Sequence, residues 1–406
     1  MLCQFSVKNF MCFRDEITLD MQAASITGHE ESLLIDKDKE AFLPLAVIYG
    51  PNGGGKSSVL HALYSLCLKV MRPVCAAKCD NKACFDRSFC SERSINIPVT
   101  PFAFSKKSRL APTEYEIFFR TENAEYQYQL KILKGKVVYE ELSRKKILGS
   151  RYSLVFRRIE HHVELKGSVK SYGVSGMSDG IPLLSFLIIT HSRNAIMKDI
   201  FNWFDGKIDF RNYSNPNSEL AFPVFDDADS KSMMLEMFNE MDISISDYEI
   251  IRETENHIKI VTFHEIAGRK YELDFYDESN GTIKIFGLLP HIINSIKGGT
   301  MLVIDELDAK LHPLLLKYII KLYSDPDINK KKSQLVFTSH DLTTMTSEFF
   351  RRDEIWFVAK TEEEAAKLYS LVEFSARKDA SFNKQYLEGK YGADPYLQRI
   401  IDWKTF

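Results

Sequence analysis

The chain has 406 residues, 45% hydrophobic and 27% charged, with a formal net charge of −3. This is enough apolar material for a large core in two or three domains, and the near balance of charge gives no broad electrostatic claim on nucleic acid. No run of 18 uninterrupted apolar residues occurs, and charged and polar residues break up the N-terminus where an export signal needs an apolar centre, so a cytoplasmic protein with no membrane partner is expected.

The first strong signal is the apolar run Leu45-Ala46-Val47-Ile48-Tyr49 followed by Gly50-Pro51-Asn52-Gly53-Gly54-Gly55-Lys56-Ser57, a complete G-x-x-x-x-G-K-[ST] phosphate loop. Glycines let successive backbone N–H groups turn toward phosphate oxygens, Lys56 reaches the β/γ-phosphates, and the Ser57 hydroxyl is a Mg²⁺ ligand. Ser58 and the residues after it carry apolar side chains at helical spacing, so the loop opens a helix whose N-terminal dipole faces the anion. Nucleotide binding is therefore assigned to Gly50, Asn52, Gly53, Gly54, Gly55, Lys56, Ser57 and Ser58, with ATP and Mg²⁺ as cofactors.

Seven cysteines, at 3, 12, 67, 75, 79, 84 and 90, fit reduced thiols. Four of them, Cys75, Cys79, Cys84 and Cys90, cluster, but without the tight pairs set apart by a longer loop that structural zinc sites show. From residue 95 to 165 the pattern alternates with period two, as in Tyr126-Gln127-Tyr128-Gln129-Leu130-Lys131-Ile132, the mark of antiparallel sheet. Residues 180 to 245 are richer in helical spacing, around Leu183–Ile188 and Met233–Phe238. Strand signals return at Ile258–Phe263 and Tyr271–Phe275. The basic runs Lys106-Lys107, Arg144-Lys145-Lys146, Arg157-Arg158, Lys330-Lys331-Lys332 and Arg351-Arg352 read as solvated faces, with a nucleic-acid groove as the other reading.

Met301-Leu302-Val303-Ile304-Asp305-Glu306 has the form of a Walker B strand ending in two carboxylates. Successive strand side chains point to opposite faces. Asp305 can hold Mg²⁺ while Glu306 polarises the water that attacks the γ-phosphate. Leu307-Asp308 follows at once, and a later strand ends in Thr338-Ser339-His340.

This order, Asp-Glu then Leu-Asp then a strand ending in Ser-His, resembles the ABC-type ATPase heads of SMC, RecF and OLD proteins. The resemblance implies an α/β P-loop NTPase of ABC/SMC-head type with an antiparallel β lobe and a helical lid lobe. It also implies Asp308 as the D-loop residue at a dimer seam and His340 as a switch histidine on the γ-phosphate, catalytic beside Glu306. A signature motif acting in trans is then required, and Glu278-Ser279-Asn280-Gly281-Thr282 is the candidate, through Ser279 and Gly281. The same residues also fit a plain N-cap before a core helix. Phe5–Phe13 and Ile17–Leu19 resemble the N-terminal strand, Asn-Phe turn and second strand of such heads, with Met11 where many carry Arg and Arg14 as the nearest substitute.

The expected organisation is an ATPase core over 1–75 and 248–406, with an antiparallel β lobe at 76–170 and a helical lid lobe at 171–247. Roughly 230 residues separate Gly55 from the signature candidate, too few for long coiled-coil arms. The C-terminal runs around Arg351–Val358, Leu368–Leu371, Arg377–Asp379 and Gly389–Ala393 resemble AbiL/RloA-type bacterial ATPases. That resemblance implies phage defence: an ATP-linked homodimer or higher homo-oligomer acting as a switch on a separately encoded effector, a nuclease or toxin. A RecF-like repair ATPase that binds nucleic acid is the alternative. An intrinsic nuclease is less favoured, because after His340 no Asp-x-Asp occurs and Glu362-Glu363-Glu364 reads as a solvated turn.

Overall fold

The computed structural model describes residues 1–78, 99–212, 228–254, 257–374 and 381–393. In chain order the elements begin with strands β1 (Leu2–Lys8) and β2 (Ile17–Asp20), a short pair β3 (Leu34–Ile35) and β4 (Ala41–Phe42), strand β5 (Leu45–Tyr49) and helix α1 (Lys56–Lys78). A short helix α2 (Lys106–Leu110) precedes five strands, β6 (Thr113–Arg120), β7 (Ala124–Leu133), β8 (Lys136–Lys146), β9 (Ser153–Ile159) and β10 (His162–Leu165). Helices α3 (Leu183–Thr190) and α4 (Ala195–Gly206), strand β11 (Ile208–Asn212) and helix α5 (Ala228–Glu240) lead to a meander of β12 (Ile245–Thr254), β13 (His257–Ile266) and β14 (Arg269–Asp274). The rest runs α6 (Asn280–Gly298), β15 (Met301–Asp305), α7 (Pro313–Ser324), β16 (Gln334–Thr338), β17 (Ile355–Lys360), β18 (Ala366–Ser370) and α8 (Phe382–Leu387).

Two large sheets result. The alternating stretch forms a seven-stranded antiparallel sheet in the order β10-β9-β8-β7-β6-β1-β2, so the N-terminal strands complete it. Along β7 the inward set Tyr126, Tyr128, Leu130 and Ile132 is buried, as a half-covered sheet requires. The second sheet has the order β11-β15-β16-β5-β17-β18, parallel from β11 to β17 with β18 antiparallel at the edge. Every residue of β5, β15 and β16 is buried, which explains why these strands read as largely apolar runs.

Helices cover both faces of the parallel sheet. Ala46 and Ile48 join a core with α1, α3, α4 and the antiparallel sheet, including Leu63, Leu184, Trp203 and Tyr128. Leu45, Val47 and Tyr49 join the other core, with Phe286, Leu289, Ile292 and Ile319 from α6 and α7. By length and composition α1 could cross a membrane, but 83% of its apolar window is buried inside the protein, as expected of a core helix. Gln334, at the start of β16, binds the two sheets together: its side chain accepts from Leu2 N–H at 2.7 Å and donates to the Leu2 and Leu43 carbonyls at 3.0 and 3.2 Å.

The Asn-Phe turn is a structural joint. Asn9 is 3% exposed and left-handed at φ 55°; its amide donates to the Ser108, Ala111 and Pro112 carbonyls and its oxygen accepts from Phe102 N–H. Arg14 lies at the surface, paired with Asp15 and Glu363. Two of the basic runs are partly internal. Arg158 is buried on the Glu160 and Ile181 carbonyls, and Arg351 on Asp353 and the Gly28 and Ala24 carbonyls. Within residues 171–247, β11 is a strand that the helical spacing conceals; it pairs with β15 and places Asn212 opposite Asp305. Cys75 is buried in α1, while Cys79, Cys84 and Cys90 lie outside the described residues, as does Arg377–Asp379.

Candidate nucleotide site

The phosphate loop joins β5 to α1, so its backbone is fixed by a fully buried strand on one side and a core helix on the other. Gly50, at φ 153°, has no room for a side chain, because a Cβ there would run into the Val358 carbonyl of β17. Gly55, at φ 112°, would bring a Cβ to 2.6 Å from Cys12 Sγ. Both glycines are thus required by conformation and by contact. Asn52 and Gly53 are exposed at the tip, Gly54 is buried, and Ser57 and Ser58 are half-buried at the first turn of α1. Lys56 is 6% exposed, and its ammonium donates to the loop's own Gly50 and Pro51 carbonyls at 3.0 and 3.2 Å. Burial lowers its pKa from the ordinary lysine value against the opposing pull of Asp305, Glu306 and Asp308.

The parallel register brings the far strand ends to this loop. Thr338 of β16 pairs with Ile48 of β5, and Ile304 of β15 pairs with Phe337. Ser57 Oγ therefore donates to Asp305 Oδ1 at 3.0 Å, linking residues 248 apart in sequence. Thr338, fully buried, donates to the same oxygen at 2.6 Å and accepts from Glu306 N–H at 2.8 Å. One threonine hydroxyl thus orients both acidic residues of the pair. A serine hydroxyl against a buried carboxylate is a hard-oxygen donor set that fits Mg²⁺.

The strand ends at Asp305, and Glu306 turns left-handed at φ 54°. Its carboxylate, half-buried, makes no hydrogen bond among the described residues. Asp308 lies two residues on, where its Oδ2 accepts from His340 N–H at 3.0 Å. Asp308 and His340 line a cleft of about 250 Å³ with Leu311, Pro313, Leu316 and Asp341. Partial burial and the nearby Lys56 ammonium hold the His340 imidazole below its ordinary pKa, against the pull of Asp308, Glu306 and Asp305. A neutral ring at neutral pH follows.

Ser279 is the N-cap of α6, its hydroxyl accepting from Thr282 N–H at 3.1 Å. Within its own chain the segment is a helix cap. Gly281 has no positive φ, and a Cβ there would meet only ordinary contacts, with the Lys310 carbonyl oxygen at 3.5 Å. Among the described residues, nothing in its own protomer demands glycine at that position.

Two residues of this region escape the sequence reading. Thr338 was legible as part of a strand end but not as the joint between Asp305 and Glu306. Lys284, on α6, is 7% exposed and reaches the Glu306, Leu307 and Ala309 carbonyls at 3.1, 3.0 and 2.5 Å. Burial lowers its pKa to about 8. A lysine on an amphipathic helix ordinarily reads as solvated, so the sequence carries no signal for it.

Residues 45–346 match the family model described as "AAA domain, putative AbiEii toxin, Type IV TA system". Among solved structures, the SMC head domain from Thermotoga maritima matches 91% of this chain and 98% of its own, at 14% identity and a TM-score of 0.40. An SMC head bound to the C-terminal winged-helix domain of ScpA matches with 13% identity, coverage of 91% and 97%, and a TM-score of 0.40. The recombination mediator RecF matches with 13% identity, coverage of 91% and 98%, and a TM-score of 0.34. No curated protein matches the chain.

Proposed function

The chain belongs to this AAA-domain family, and on that premise we propose that it binds and hydrolyses ATP as a dimeric switch in anti-phage defence, acting on a separately encoded effector. The observation that carries the ATPase part is the meeting of Ser57, Asp305 and Thr338 on one carboxylate oxygen beside the Lys56 loop. In this reading the loop N–H groups and Lys56 hold the β- and γ-phosphates, and Ser57 and Asp305 hold Mg²⁺. When bound, the ion supplies Lewis-acid stabilisation of the phosphate oxygens. Glu306 takes the proton of the attacking water, and an imidazole N–H of His340 donates to the γ-phosphate.

Ser279 and Gly281 serve the site of the second protomer, so nucleotide closes a head-to-tail dimer, with Asp308 at the seam. The freedom from steric need at Gly281 supports a role outside its own chain. The toxin–antitoxin context in the family description supports a second gene product that acts together with this chain. Burial of Arg158 and Arg351 takes those two residues out of any nucleic-acid groove.

The test is Glu306→Gln with ATP, followed by light scattering and copurification with the neighbouring gene product. The variant is expected to hydrolyse ATP at least ~100-fold more slowly, to accumulate as an ATP-bound dimer, and to hold or release the effector according to nucleotide. Hydrolysis at the parental rate moves the catalytic role elsewhere. A stable monomer with ATP removes the switch.

A further inference from the structure

Lys284 has no task in the chemistry above, yet it is buried and its ammonium donates to three backbone carbonyls, those of Glu306, Leu307 and Ala309. A buried ammonium is costly unless its donors are met, and three acceptors converge here. They can converge because the segment doubles back on itself, with Glu306 at φ 54° and Lys310 at φ 61°. That short segment carries Glu306 and Asp308 together. At its far end the Lys310 carbonyl lies beside Gly281, so the start of α6 and the segment touch at two places.

We propose that Lys284 is a positioning residue that ties the start of α6 to the Glu306–Asp308 segment, so that the two nucleotide sites of the dimer act together. This rests on the head-to-tail reading above. In that arrangement each chain gives Ser279 and Gly281 to one site and Glu306 to the other. When α6 settles on the partner's nucleotide, the ammonium moves with it. The three carbonyls must then follow or lose their donor. A plain prop for Glu306 predicts something different: loss of Lys284 would harm only the site that uses the Glu306 of the same chain.

The two are separated with purified, doubly tagged heterodimers. One protomer is wild type; the other carries Glu306→Gln, alone or with Lys284→Met. Both sites then bind ATP, and only the site using the wild-type Glu306 turns over, with its Ser279 and Gly281 supplied by the variant protomer. Adding Lys284→Met is expected to slow single-turnover hydrolysis at that live site by more than roughly threefold. A smaller change overturns the coupling, leaving a local prop. In homodimers, Lys284→Met is expected to bring the Hill coefficient for ATP hydrolysis toward one, and an unchanged coefficient counts against the proposal. If Lys284→Met does not fold by circular dichroism, Lys284→Gln is read in the same way. Failure of Glu306→Gln to dimerise with ATP removes the dimer reading itself, whereas a dimer with an unchanged live-site rate removes only the coupling.

Discussion

Thr338→Val keeps the shape of the side chain and deletes its hydroxyl. Two bonds go: the donation to Asp305 Oδ1 at 2.6 Å and the acceptance from Glu306 N–H at 2.8 Å. Thr338 is fully buried, and orphaning the Glu306 N–H beside it costs about 1–3 kcal/mol. A bond to a charged acceptor contributes about 1.5–3 kcal/mol, less here because Ser57 still donates to the same oxygen. A net loss of about 3 kcal/mol follows. Unfolding entropy of about 2.1 cal/mol/K per residue gives a cooperative chain of this length roughly 0.85 kcal/mol/K, so the melting midpoint should drop by about 3–4 °C. Calorimetry checks that value. Activity should fall further than stability, because Asp305 and Glu306 both lose their orientation: ~10–100-fold in kcat at 25 °C, well below the melting range, with ATP affinity within about tenfold of the parent. A midpoint within 1 °C of wild type, or an unchanged kcat, would refute the argument that this one hydroxyl holds both the Asp305 carboxylate and the Glu306 backbone.

Lys56→Ala removes the cation facing the β/γ-phosphates, so ATP affinity in titration calorimetry should fall at least about a hundredfold; an unchanged Kd sinks the phosphate-loop assignment. Ser279→Arg should leave ATP binding by the monomer nearly intact while blocking the ATP-linked dimer in light scattering. Mixing it with Lys56→Ala should restore part of the hydrolysis, since one site of the mixed dimer is then whole. A Ser279→Arg chain that still dimerises reduces the segment to a cap. Glu354, buried and bonded to Arg351 N–H, has its pKa raised by burial to about 8. Its stabilising proton is fully held below the unfolded value near 4.5 and lost as pH rises through about 8. The wild-type melting midpoint should therefore decline between pH 5 and 8.5 more steeply than that of Glu354→Gln, and parallel curves would show that Glu354 is not the titrating group.

Elements whose signal is local were readable from the chain alone. The phosphate loop, the apolar strands and the period-two ladders each follow from nearest-neighbour pattern and glycine conformation. What could not be read depends on distant partners. β11 is five residues whose strand state comes from pairing with β15, about ninety residues away. Arg158 and Arg351 look like surface charge until the carbonyls that surround them are known. The roles of Lys284 and Thr338 exist only where three separate segments meet. Asn9 sits between these cases, since an Asn before Phe marks a turn but does not say that it will fasten residues about a hundred positions away.

The placement of β5 has a consequence for how the protein is made. Both of its neighbours, β16 and β17, come from the last quarter of the sequence. The strand that leads into the phosphate loop is therefore translated early and waits, unpaired on both edges, while most of the polypeptide is synthesised. Pairing over such separations is slow, and exposed apolar edges attract other chains in the meantime. A ribosome-bound chain truncated before residue 334 should lack a nucleotide pocket altogether and depend on a holding chaperone. ATP, able to bind only once the late strands dock, would then act as a late stabiliser of the newly completed fold.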